Sequence, residues 1–301
     1  MSQRILDVLI VGGGPAGLSA ALLLARCRRR VLVCDAGHPR NKTSQALHGF
    51  LTQDGINPGE LLALGREQLH AYGVEFCSSL VTNACRVPEG FEVMTHHGVR
   101  FTSKKLLLAT GIVDHLPSIE GLEALYGRSV FHCPYCDAWE VRDRALAVRG
   151  QGKKGAELAL SLKTWSDNVV LCTDGVDRMP ASERERLARH DIETIGTPIA
   201  RLEGIDGRLT HIVFESGERM ARDALFLSSL QSYRSDLPEQ MGCSFTKRGA
   251  VRTGKFEETN VPGLYVAGDA SRDMQFAIVA AAEGAKAAVA INMALQHEER
   301  N

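Results

Sequence analysis

Short runs of β-branched and aliphatic residues alternate along the chain with glycine-rich breaks and stretches rich in Ala and Leu. Asp7 is followed by Val8, Leu9, Ile10 and Val11, and this short β-branched and aliphatic stretch predicts a buried strand. Gly12-Gly13-Gly14-Pro15-Ala16-Gly17 follows without a spacer. Residues 18–30 then predict a helix, and Val31 to Cys34 a second buried strand that ends at Asp35. The order is strand, G-x-G-x-x-G, helix, strand, acid. Each part has a physical reason in a dinucleotide site. Gly12 permits the tight turn, Gly14 lets the backbone approach a pyrophosphate, and Gly17 lets helix and strand pack closely. The helix N-terminus faces the phosphate charge, and Asp35 is placed to bind ribose hydroxyls. A glycine-rich turn in an ordinary α/β protein is the competing explanation.

The pattern recurs. Residues 145–149 predict a weaker strand, Gly150-Gln151-Gly152-Lys153-Lys154-Gly155 a second glycine turn, 156–164 a helix and 169–172 a strand. Two such units predict an α/β protein with two Rossmann-like nucleotide-binding folds. Lys153 and Lys154 sit where backbone should approach phosphate, so they either add charge there or are simply solvated. Two further apolar runs end in small residues: one at Ala109, Thr110 and Gly111, the other at Gly268 and Asp269 before a helical pattern over 275–295. Such strand ends are where open α/β sheets place ligands. Residues 198–219 read as turns and strands, 95–101 as a hairpin arm, and 297–301 as a frayed end.

Composition narrows the function. Lys and Arg number 35 against 36 Asp and Glu, for a net charge of -1, so no charge excess attracts nucleic acid or an anionic membrane surface. No run reaches the roughly 18 apolar residues of a membrane helix, and residues 1–7 leave no room for a signal peptide. The expectation is a cytoplasmic protein whose eight cysteines are mostly free thiols, any true pair being catalytic or metal-binding.

One pair has a chemical spacing: Cys133-Pro134-Tyr135-Cys136. C-x-x-C brings two sulfurs within reach of a small disulfide ring, and at a helix start it lowers one thiol's pKa. Asp137 follows, a carboxylate placed to exchange a proton with a leaving thiolate. Zinc would need a second ligand pair, and His132 supplies none, so no metal is expected. Cys27, Cys34, Cys77, Cys85, Cys172 and Cys243 read as small core residues. His96 and His97 read as a solvated pair. His48 follows the Asp35 loop and either reaches a cofactor or is an ordinary loop histidine.

The order of these pieces resembles the low-molecular-weight thioredoxin reductase family of flavoproteins. The resemblance rests on Gly12 to Gly17, Ala109 to Gly111, Cys133 to Asp137, Gly150 to Gly155 and Gly263 to Ala270, and it spans nearly the whole chain. It implies the FAD/NAD(P)-binding disulfide reductase architecture: a discontinuous FAD domain of residues 1–114 and 238–301, and an inserted domain, 115–237, carrying the dithiol. It implies that Cys136 faces the flavin, that Cys133 exchanges with a partner disulfide or dithiol, and that Asp137 is the acid–base group. FAD would be held by Gly12, Gly14, Pro15, Ala16, Gly17, Asp35, Ala36, Arg40, Asn41, His48, Ala109, Thr110, Gly111, Gly268, Asp269, Gln275 and Phe276. A homodimer, a thioredoxin-like protein or small dithiol as partner, and joints near 113–116 and 231–238 complete the expectation.

One departure bears on the electron source. NADPH-using members carry a basic run after the second glycine motif, where this chain has Cys172-Thr173-Asp174-Gly175. A carboxylate repels a 2'-phosphate. Asp174 would suit NADH, or the second fold holds no nicotinamide. The segment from Asp35 to Asn41 with His48 resembles dithiol oxidases that pass electrons to oxygen, whereas Asp137 departs from their histidine at that position. The sequence thus leaves open a reductase, a dithiol oxidase and a non-catalytic flavin redox sensor.

Overall fold

The structure, a computed structural model, describes residues 5–175, 178–228, 230–271 and 274–301. The chain divides into two compact units. Unit 1 comprises Met1–Lys42, Gly49–Val113 and Gln231–Asn301; unit 2 comprises Thr43–His48 and Asp114–Leu230. The division differs from the boundaries read in the sequence in three places, the first a one-residue shift of the 114/115 junction to 113/114. The return to unit 1 falls at 230/231 rather than 237/238, because Leu237 is fully buried in that unit's core. The short segment Thr43–His48, read as part of the FAD domain, associates with unit 2. A Cβ at Gly127 would fall 2.7 Å from the Thr43 carbonyl oxygen, which is the close approach that holds the segment there.

In unit 1 five parallel strands run in the order Glu75–Cys77, Val31–Cys34, Leu6–Val11, Arg100–Leu108, Leu264–Val266. Arg100–Leu108 extends beyond its parallel neighbours and pairs antiparallel with Gly90–Thr95, which pairs with Val81–Val87. The Leu6–Val11 strand is buried throughout, as the apolar run Val8 to Val11 requires of a strand covered on both faces, and Asp7 within it is paired with Arg30 and Lys104. Helices Pro15–Arg26 and Ala277–Arg300 pack side by side on one face. Gly284 makes that possible, since a Cβ there would collide with the Ala16 backbone carbonyl.

Unit 2 repeats the order with Glu193–Ile195, Val169–Cys172, Leu146–Arg149, Ala224–Leu227 and Val130–Phe131, again all parallel. A three-stranded antiparallel sheet, Ile199–Ile205, Arg208–Phe214 and Arg219–Ala221, shares its core.

Three expectations are corrected. The first helix spans 15–26, not 18–30, because Arg28 turns into the left-handed region at φ 61°. Residues 297–300 are helical rather than frayed, and Arg29 ties the end down through Glu299 and Asn292. Ala277–Arg300 is long and apolar enough to cross a membrane by length and composition, against the expectation that no run is. Ala280, Ala287, Ala288, Ile291 and Leu295 of this helix lie in the unit 1 core, whereas Ile278, Val289 and Met293 are exposed.

Candidate functional site

The cradle of unit 1 is built from backbone. Gly12 has φ +112°, and a Cβ there would strike the Ala109 carbonyl; a Cβ at Gly17 would strike the Gly12 carbonyl. These two contacts draw the turn, the helix and the Ala109 strand end together. Gly14 differs: among the described residues, a Cβ there meets nothing within 4 Å. Gly14 is the N-cap of Pro15–Arg26 and offers no side-chain bond to the first helical N–H groups, so the positive end of the helix is left without a side-chain cap. Pro15 starts the helix where no N–H is needed, and Ala16 packs against Gly268 and Gly284.

The strand ends around this opening carry the polar groups. The Thr110 hydroxyl is buried and has no hydrogen-bond partner among the described residues, and Gly111 beside it has φ +65°. The Gly268 N–H donates to buried Glu283 at 2.8 Å. Asp35 abuts Gly13 and pairs with Arg66, whose guanidinium lies 5.6 Å from the Phe76 ring. Arg40 donates to Asp269 at 3.0 Å and to Gln275 at 2.7 Å, and Gln231 donates to Gln275 at 3.0 Å. Phe276 caps the C-terminal helix. Ala36 is exposed and Asn41 half-buried on the loop after Asp35. An uncapped helix end beside an open glycine, a carboxylate at the ribose position and an orphaned buried hydroxyl fit FAD. Arg66, Glu283 and Gln231 escaped the sequence reading, because no local pattern marks a side chain that arrives from a distant helix or loop.

In unit 2, Cys133 and Cys136 are joined by a disulfide. Pro134–Asp137 is a single helical turn with Cys133 as its N-cap, and the N–H groups of Cys136 and Asp137 both donate to the Cys133 carbonyl at 3.2 Å. This turn closes the C-x-x-C loop and sets Asp137 next to Cys136. Burial pushes the Asp137 carboxyl up from 3.8 to about 7; the charge of Glu140 adds to the rise and His48 opposes it. His48 Nε2 lies 3.4 Å from Glu140 Oε1. His48, read as reaching a cofactor, thus stands beside the dithiol's acid in unit 2. His132 Nδ1 is 2.9 Å from Tyr126 Oη, and Tyr135 and Trp139 are strongly exposed on either side of Cys136 in sequence.

The second glycine turn keeps the close packing, with a Gly150 Cβ only 2.7 Å from Gly155 Cα, but its cradle differs. Gly152, the counterpart of Gly14, has φ +55°, and a Cβ there would lie in van der Waals contact with the Arg178 carbonyl, 3.4 Å away. Asp174 pairs with Arg149 and accepts the Ile199 N–H at 3.0 Å, so its carboxylate is engaged within the unit. Lys153 is exposed and lies 3.7 Å from Glu157. Among the remaining cysteines, Cys34, Cys172 and Cys243 are buried as expected; Cys27 and Cys85 are exposed, at a helix end and on the outer face of the hairpin.

Residues 6–284 match the family described as pyridine nucleotide-disulphide oxidoreductase. The chain belongs to this family. It is 30% identical to thioredoxin reductase tcpT of Claviceps purpurea, over 89% of this chain and 87% of that one. Its fold superimposes on the crystal structure of HlmI with a TM-score of 0.95 at 34% identity, covering 98% of this chain and 94% of the other. An oxidoreductase from Agrobacterium tumefaciens gives 0.90 at 32% identity, covering 98% and 99%. As a member of this oxidoreductase family, the protein is a thioredoxin reductase-like enzyme, with FAD as its cofactor.

Proposed function

We propose that the protein is a dithiol oxidase: it converts a dithiol to a disulfide through Cys133 and Cys136, uses FAD, and draws on no pyridine nucleotide. The contrast between the two glycine turns carries this reading. Both helix ends lack a side-chain cap, but a Cβ at Gly14 would meet none of the described residues, whereas a Cβ at Gly152 would touch the Arg178 carbonyl and the nearby Asp174 is paired with Arg149. A pyrophosphate needs the first arrangement.

In the chemistry proposed, a substrate thiolate attacks Cys133, forming a mixed disulfide and releasing Cys136 as the leaving group. Asp137, adjacent in the same helical turn, holds a proton up to a pH of about 7 and delivers it to the leaving sulfur. The second substrate thiol then attacks the mixed disulfide, closes the substrate disulfide and frees Cys133. Two electrons and two protons pass to the enzyme dithiol. When bound, FAD supplies the two-electron acceptor that restores the Cys133–Cys136 bond, with oxygen as final acceptor and hydrogen peroxide as product. Exposed Tyr135 and Trp139 offer apolar surface to a small dithiol. The enzyme is proposed as a cytoplasmic homodimer.

Anaerobic titration of the yellow protein tests this. Stoichiometric bleaching by a dithiol, with none by NADH or NADPH, is expected. Bleaching by either nucleotide would overturn it in favour of a reductase acting on a thioredoxin-like protein, which the name of the Claviceps relative favours. A redox sensor would show no turnover for Cys136→Ser to abolish.

A further inference from the structure

Two of the cysteines outside the active pair face one another. Cys34 ends the strand Val31–Cys34, Cys77 ends Glu75–Cys77, and the two are direct partners in the parallel register. Cys34 belongs to a buried core cluster against which Cys77 packs, so the two side chains lie on one face of the sheet, and their thiols are within interaction range. Neighbouring parallel strands lie about 4.8 Å apart, inside the Cα separation a disulfide spans. Cys34 is buried and Cys77 half-buried, which gives a solvent-derived oxidant access to one thiol and a sheltered second thiol behind it. The position is not remote from the cofactor. Asp35, the acid at the ribose position, follows Cys34 directly, and its N–H donates to the Cys77 carbonyl at 2.9 Å.

We propose that Cys34 and Cys77 are a second oxidation site, which hydrogen peroxide closes to a reversible disulfide at the adenosine end of the flavin cradle. The Cys77 thiolate attacks peroxide, breaking the O–O bond to give the sulfenic acid and hydroxide. The Cys34 sulfur then attacks the sulfenic sulfur and expels water after proton transfer. Overall, two thiols and one peroxide give one disulfide and two waters. Burial pushes the Cys34 thiol up to about 12, so it acts second and slowly. The site therefore responds to sustained peroxide rather than to single turnovers. It rests on the oxidase reading only for the source of peroxide.

The test adds peroxide to purified holoenzyme carrying Cys133→Ser and Cys136→Ser, so the result does not depend on turnover. Free thiols are then alkylated and peptides mapped by mass spectrometry without reduction. The expected result is a peptide pair linked through Cys34 and Cys77, lost on treatment with dithiothreitol. With Cys34→Ala, a dimedone adduct should accumulate on Cys77. If that variant does not fold, the linked peptide in the parent protein decides. Both cysteines remaining alkylatable after peroxide, or Cys77 passing directly to sulfinic acid with Cys34 still free, overturns the proposal. Dithiol bleaching without the cross-link would leave the oxidase reading standing and remove this one.

Discussion

Arg149 and Asp174 form an ion pair across the ends of adjacent strands in unit 2, at the place where a nucleotide ribose would otherwise be read. Asp174 also accepts the Ile199 N–H at 3.0 Å, from a segment of the antiparallel sheet, so its role is to tie two sheets together. Asp174→Ala is expected to lower stability by about 1–3 kcal/mol, the cost of leaving a partly buried partner unpaired. Dithiol turnover should change less than twofold. Thermal melts and the bleaching assay check both. A nucleotide response in the parent that the variant loses would refute this assignment.

Asp137 carries a signed pH dependence. Its folded pKa is about 7 against 3.8 in the unfolded chain, so the folded state holds a proton that the unfolded state gives up between those values. Stability contributed at low pH is therefore lost as pH rises from roughly 4 towards 7. Asp137→Asn should raise the melting temperature relative to the parent above pH 7 and change it little below pH 4. Its turnover should fall by about 10²–10⁴-fold, the usual worth of a positioned acid. Parent turnover should decline as pH passes through about 7, which a pH–rate profile reads directly.

The Thr110 hydroxyl is buried without a partner among the described residues. Thr110→Val keeps the shape and removes the orphan, so the flavin-free protein should be as stable as the parent or more so. FAD affinity should drop about 5–10-fold, the equivalent of one hydrogen bond. Equilibrium dialysis against FAD and a melt of the stripped protein separate the two effects.

Glycines 14 and 284 predict opposite phenotypes. A Cβ at Gly14 meets nothing, so Gly14→Ala should leave the flavin-free protein's melting temperature unchanged while weakening FAD retention. A Cβ at Gly284 collides with the Ala16 carbonyl, so Gly284→Ala should destabilise the fold by about 1–3 kcal/mol through helix displacement.

The parallel strands were legible because covered strands are mostly apolar, as Val8 to Val11 and Val169–Cys172 are. The glycine turns and the C-x-x-C pair were legible because their spacing is itself the geometry. Helix ends were less so: nothing in residues 27–30 announces that Arg28 adopts a positive φ. Contacts such as Arg40 with Asp269 and Arg66 with Asp35 join residues from separate stretches of chain, and loop paths decide them. The placing of Thr43–His48 in unit 2 depends in the same way on a tight approach at Gly127.

The strand Leu264–Val266 adds to Arg100–Leu108 in unit 1, and the helix after it packs on Pro15–Arg26. The first unit to begin emerging from the ribosome is therefore the last to be completed, while the five-stranded parallel sheet of unit 2 is complete by Leu227. Nascent chains should hold a finished dithiol module before they can retain flavin, and any stall before residue 264 should yield a colourless product whose glycine turn lacks its packing partners.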